Sequence, residues 1–125
     1  MPQFDSEPRA TTGTRGHAAL HRFLVDRMGF IVEDEHRVGV FSIDCYVPEV
    51  HAGFEYDGKD FHASTKNRVR DVARDNWILG TAGIPIMRVI DADLKQPGTL
   101  FERISGWLEV FEDDLVARRD RERGL

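Results

Sequence analysis

At 125 residues the chain is long enough to bury one core and too short for two. Apolar content of 41% and charged content of 31% are those of an ordinary globular domain, and no run approaches the roughly 18–20 apolar residues that cross a bilayer. A single cysteine, Cys45, excludes an internal disulfide and a cysteine-rich zinc site and fits a reducing cytoplasm, while a net charge of −5 argues against tight non-specific binding of duplex nucleic acid.

Residues 1–13 mix Pro, Ser, Thr, Gly and charge without periodicity, and they lack the basic-then-apolar order of a signal peptide; they are expected to form a flexible lead-in. Leu20, Phe23, Leu24 and Met28 recur at helical spacing, which predicts a first helix from Thr14 to Met28 stopped by Gly29. Three β-prone runs follow, Phe30–Glu35, Val38–Val47 and Val50–Asp57, separated by His36–Arg37 and by Pro48–Glu49. Ser64 to Thr81 reads as a second helix with Val69, Val72, Ala73 and Leu79 as its inner stripe and Gly83 beyond its end. Ile84–Ile90 is apolar almost throughout, as a central buried strand would be. Leu100, Ile104, Trp107, Leu108 and Phe111 give a third amphipathic helix, followed by a charged tail over 113–125. Trp77 and Trp107 read as core. The order α-β-β-β-α-β-α predicts an α/β fold: a four-stranded mixed sheet flanked by helices, its first three strands a meander and its last parallel to the third. One domain is expected over 14–112.

Chemistry concentrates in two segments, Ser42-Ile43-Asp44-Cys45-Tyr46-Val47-Pro48-Glu49 and Phe54-Glu55-Tyr56-Asp57-Gly58-Lys59-Asp60-Phe61-His62. Asp44 interrupts a strongly apolar strand, where an unpaired carboxylate would be costly. Antiparallel pairing through the Pro48–Glu49 turn brings Asp44 near Glu55, and strand parity sends Glu55 and Asp57 to the same face. Clustered carboxylates repel unless a cation neutralises them. Hard oxygen donors suit Mg²⁺, with Mn²⁺ as substitute, and such an ion polarises a phosphoryl oxygen and acidifies water. His62, just before the second helix, titrates near neutral pH and suits proton transfer. His36 and His51 read as structural, and His21 as surface.

With these motifs in order, the chain resembles the PD-(D/E)XK, or restriction-endonuclease-like, superfamily. Within it the resemblance is to very-short-patch-repair endonucleases, related phage homing endonucleases and small domains akin to both. It covers about residues 14–92, including Asp71-Val72-Ala73-Arg74-Asp75-Asn76-Trp77-Ile78-Leu79 and then Gly83-Ile84 and Arg88. The resemblance implies a Mg²⁺-dependent endodeoxyribonuclease. Asp44 corresponds to the central metal-binding aspartate, Glu55 to the acid of the third strand, and His62 to a proton-transfer histidine. Asp57 stands where many members have a lysine and the mismatch-repair branch a histidine. His17 stands where the first helix often carries a metal-reaching glutamate. Asp44, Glu55 and Asp57 are thus expected as metal ligands, with His62 and His17 as further catalytic residues.

Lys59 and Lys66 are the candidates to stand in for the missing lysine. Despite the acidic average, Lys66, Arg68, Arg70 and Arg74 cluster at the start of the second helix and are expected to meet the nucleic-acid backbone. DNA is the expected partner, with RNA cleavage by a toxin-like nuclease, or an inactive nucleic-acid-binding module, as alternatives. No membrane partner is expected, and a homodimer or an additional recognition domain would assist target binding.

Overall fold

The computed structural model describes residues 12–58 and 65–122, with side chains described for 15–58 and 65–112. Helix α1 (Thr12–Arg22) runs straight into a π-helical turn, Phe23–Arg27, and ends at Gly29, whose φ of 76° suits a residue without a Cβ. Three strands follow, β1 (Glu33–Val38), β2 (Phe41–Val47) and β3 (Ala52–Tyr56). Helix α2 (Thr65–Ala82), β4 (Ile86–Val89), the single turn α3 (Asp91–Leu94) and the long α4 (Pro97–Glu122) complete the chain.

The sheet order is β1-β2-β3-β4, antiparallel through the first three strands and parallel between β3 and β4. The expected mixed sheet is therefore present. Several boundaries differ from the sequence reading, and β4, expected as a central strand, lies at the edge of the sheet. Phe30–Val32 precede the first strand, and the β1–β2 turn falls at Gly39–Val40 rather than His36–Arg37, because Gly39 supplies the left-handed φ of 62° that a tight turn needs. The third predicted helix is longer than its apolar spacing suggested, reaching Glu122.

Each face of the sheet buries its own cluster. On one, Leu20, Phe23 and Leu24 of the first helical segment and Leu100 and Ile104 of α4 pack on Cys45, Val47, Ala52, Phe54 and Val89. Trp107 joins this cluster edge-on to Phe54, as its sequence position suggested. On the other, Ile78 of α2 packs with Val38, Ile43, Tyr46 and Ile84. Gly53 lies here because a Cβ would come within 2.7 Å of Ile86 and 2.8 Å of Ile43.

The inner stripe of α2 is not the apolar one that was expected. Val69, Val72 and Leu79 are 62%, 58% and 43% exposed, and Ile78 is the helix's buried residue among those described. Asp71, Arg74, Asp75 and Ile78 share the inward face at helical spacing, and their partners are charged groups on the sheet. The polar half of that stripe carries the candidate site.

Candidate metal site

Ile43 and Cys45 are two residues apart on β2 and should share a face, yet they belong to opposite clusters. The irregularity lies at Asp44. Across from it the β1–β2 ladder is intact at Asp34↔Cys45 and His36↔Ile43, and between those partners Glu35 takes a left-handed φ of 56°. On the other side the β2–β3 register runs Val47↔Ala52, Tyr46↔Gly53, Cys45↔Phe54, so Asp44 and Glu55 meet one step past the last pair. There side chains replace the ladder. The Asp44 amide donates to Glu55 Oε2 at 3.0 Å, and the Tyr56 amide donates to Asp44 Oδ2 at 3.0 Å. Both carboxylates are fixed by backbone.

Glu55 is 8% exposed and is the buried charged residue among the described residues. Burial, then the neighbouring Asp44 carboxylate, pushes its pKa up to about 7, against the opposing pull of the Asp44 amide and Arg74. Asp44 is also raised, first by burial and further by Glu35, although the Tyr56 amide, His17 and Arg74 work the other way. Arg74 Nη2 lies 3.1 Å from Glu55 Oε2 and donates to the Ser42 carbonyl at 2.6 Å. Arg74 is thus turned inward, not outward as a free phosphate contact. It, and not Lys66, is the described cation beside Glu55, while Lys59 lies outside the described residues.

A second group of donors approaches Asp44 from α1. His17, Glu35 and Asp44 bring one ligand atom each within 4.8 Å of one another. His17 Nε2 donates to Asp34 Oδ1 at 3.2 Å, and its Nδ1 lies 3.8 Å from Glu35 Oε2. A carboxylate on one ring nitrogen is the usual way to orient the other towards a metal. Asp34 also accepts from His21 Nδ1 at 2.9 Å; burial alone would raise its pKa, but the two histidines outweigh that and hold it below the usual value. A cleft of about 410 Å³ opens along His17, His21 and Asp34. Gly16 makes this approach feasible, since a Cβ there would overlap the Tyr56 ring.

Asp57 does not join the pair. Arg88 Nη1 holds its Oδ1 at 2.8 Å, while Arg88 Nε and Nη2 each lie 2.9 Å from the Asp75 carboxylate. Asp71 stands 3.7 Å from the same guanidinium. Burial would lower the Arg88 pKa, but Asp75 and Asp57 raise it. The expected convergence of three carboxylates is therefore a pair, Asp44 and Glu55, beside an arginine-held trio. The reason is Arg88, which parallel pairing places opposite Glu55 on β4. His62 lies outside the described residues. Lys66, Arg68 and Arg70 are exposed along α2.

Sequence reasoning missed Glu35, Asp34 and His21. The acidic run 33–35 was visible only as charge, and nothing local announced that Glu35 would face Asp44. His51 is structural as expected: Tyr46 Oη donates to its Nδ1 at 2.7 Å and its Nε2 donates to the Ala82 carbonyl at 2.9 Å.

The donor chemistry fits a divalent cation. Two fixed, under-neutralised carboxylates offer hard oxygens suited to Mg²⁺ or Mn²⁺, and His17 adds a nitrogen that admits later transition ions.

Sheet order and crossover together define an α/β domain with an open four-stranded mixed sheet between helices. Among solved structures the chain is similar to the catalytic domain of the homing endonuclease I-Bth0305I, with a TM-score of 0.55 and 19% identity over 77% of this chain and 92% of that one. At that identity the likeness is one of fold. No protein-family model matches the chain, and no curated protein matches it. Among the described residues no helix is long and apolar enough to cross a membrane.

Proposed function

We propose that the chain is a divalent-metal-dependent endonuclease domain that hydrolyses phosphodiester bonds in DNA, of the very-short-patch-repair type within the PD-(D/E)XK superfamily. The observation that carries the reading is the Asp44–Glu55 pair: two carboxylates locked by backbone amides, one of them buried, at the broken end of the β2–β3 ladder. Such a pair is unfavourable without a cation. The fold shared with a homing endonuclease catalytic domain supports the same reading.

In this reading Asp44 and Glu55 hold Mg²⁺ or Mn²⁺, with His17 and Glu35 completing the donor set from α1 and β1. When bound, the ion supplies a Lewis acid for the scissile phosphate and lowers the pKa of water. Arg74 fixes Glu55 and offsets part of its charge. Asp57 orients Arg88 and, through it, the α2 stripe. Lys66, Arg68 and Arg70 hold backbone phosphates along α2. His62 moves the proton.

Plasmid nicking in Mg²⁺ or Mn²⁺ tests this. Wild type is expected to relax supercoiled plasmid, and Asp44→Ala to lose about a hundredfold or more of that rate, in line with the ~3 kcal/mol typical of losing a preorganised electrostatic group at an active centre. Equal rates in the two proteins would end the proposal.

A further inference from the structure

Trp77 was expected in the core, yet it is 44% exposed. Its ring meets Phe41 edge-on at 5.5 Å, and it lies against Gly39, where a Cβ would come within 2.7 Å of the indole. Together with Val40, 80% exposed at the β1–β2 turn, these residues form a groove of about 580 Å³ between the hairpin and α2. Its rim carries Arg70 and Arg74. The Arg74 guanidinium lies 5.5 Å above the Phe41 ring while its Nη2 reaches Glu55 at 3.1 Å. Asp71 also borders the groove, turned towards Arg88. One side chain thus links the groove to the Asp44–Glu55 pair.

We propose that this groove binds an unpaired nucleobase of the nucleic-acid strand whose phosphate lies at the Asp44–Glu55 pair. This rests on the nuclease reading and adds to it the class of substrate, a strand with a base outside the helical stack. Two features select that occupant. An apolar floor with two aromatic rings suits a planar base, and the exposed Arg70 at the rim suits a phosphate beside it. A continuous duplex offers only the edges of stacked bases to such a groove, so the base must be bulged, flipped or single-stranded. The acidic average of the chain points the same way: with a net charge of −5, charge alone supplies little hold on a duplex, and stacking supplies discrimination.

The test is a binding measurement on the full chain carrying Asp44→Asn, so that nothing is cut, at one fixed salt concentration. The probes are an intact DNA duplex and the same duplex with one bulged 2-aminopurine. The bulged probe is expected to bind about tenfold tighter with its fluorescence quenched, in line with the stacking of one base. Adding Trp77→Ala should erase that preference while leaving the intact duplex unchanged. Trp77→Phe, which keeps an aromatic face, should retain most of it, so a folding defect is distinguished from a lost contact. Equal affinity for both probes, or a preference that survives Trp77→Ala, would overturn the proposal. So would sedimentation showing a dimer that Trp77→Ala dissociates, because a second copy would then cover the groove. Should the preference hold while the wild-type chain nicks neither probe in Mn²⁺, the groove stands and the catalytic reading falls.

Discussion

Glu55, on β3, and Asp57, just past the end of that strand, stand two residues apart, yet their surroundings differ. Asp57 meets Arg88 at 2.8 Å and keeps 31% of its side chain in solvent. Glu55 meets Arg74 at 3.1 Å, but burial and the adjacent Asp44 outweigh that cation and carry its pKa to about 7. One carboxylate has been given its counter-ion by the fold; the other has been given half of one. Charge on a sheet edge is common, whereas a buried carboxylate fixed next to a second and left under-neutralised is costly and suits a site that takes up a cation. The difference between the two acids separates a structural ion-pair network from a candidate metal centre.

The largest effect is expected on the network side. Arg88→Met leaves Asp57 and Asp75 without their shared guanidinium, and the folded state should lose about 2–4 kcal/mol, read as a lower urea midpoint with unchanged slope. A loss below about 0.5 kcal/mol, the range of surface substitutions, would mean that the network is a solvated surface cluster and that the contrast with Glu55 is empty.

The next effect has the opposite sign. Below pH of about 4.5, the ordinary glutamate value, Glu55 is protonated in both folded and unfolded chains and contributes nothing to pH dependence. As pH rises from there to about 7, the unfolded chain ionises first, so the folded state loses stability; above that the full cost is present and constant. Glu55→Gln removes the charge and keeps the side chain's shape. Metal-free Glu55→Gln should therefore be more stable than metal-free wild type above pH 7 by on the order of 2 kcal/mol, and the two should converge near pH 4. Thermal melting across that range in a chelator checks it. A variant less stable than wild type at pH 8 would show that Arg74 neutralises Glu55 completely.

How much of this was legible in the sequence depends on the range of the interaction. The α-β-β-β-α-β-α order and the parallel β3–β4 crossover follow from local periodicity and connection length, and they are present, with the single turn of α3 added. Asp44 was legible because it interrupts an apolar strand, and Glu55 because strand parity and a short turn place it opposite. What hid was the identity of each acid's cation, since Arg88 is 31 residues from Asp57 and Arg74 is 19 from Glu55. The inner stripe of α2 was misread for the same reason: Val69 and Val72 look like core until the sheet is known to present Glu55 and Arg88 to that helix. Trp77 followed the same error, placed inside by its apolarity when Ile78, its neighbour, takes the buried position. Glu35 was hidden differently. Its left-handed backbone in mid-strand has no signature in residue type.

The most direct measurement is the stability of the full chain against added Mn²⁺ above pH 7. If Asp44 and Glu55 share a divalent ion, the melting temperature rises with the logarithm of added ion above the dissociation constant, with about 1.4 kcal/mol of added stability at ten times that constant. The rise disappears in Asp44→Ala and persists in Asp57→Asn, whose carboxylate belongs to Arg88. A flat response in wild type, or a rise that survives Asp44→Ala, would contradict the account.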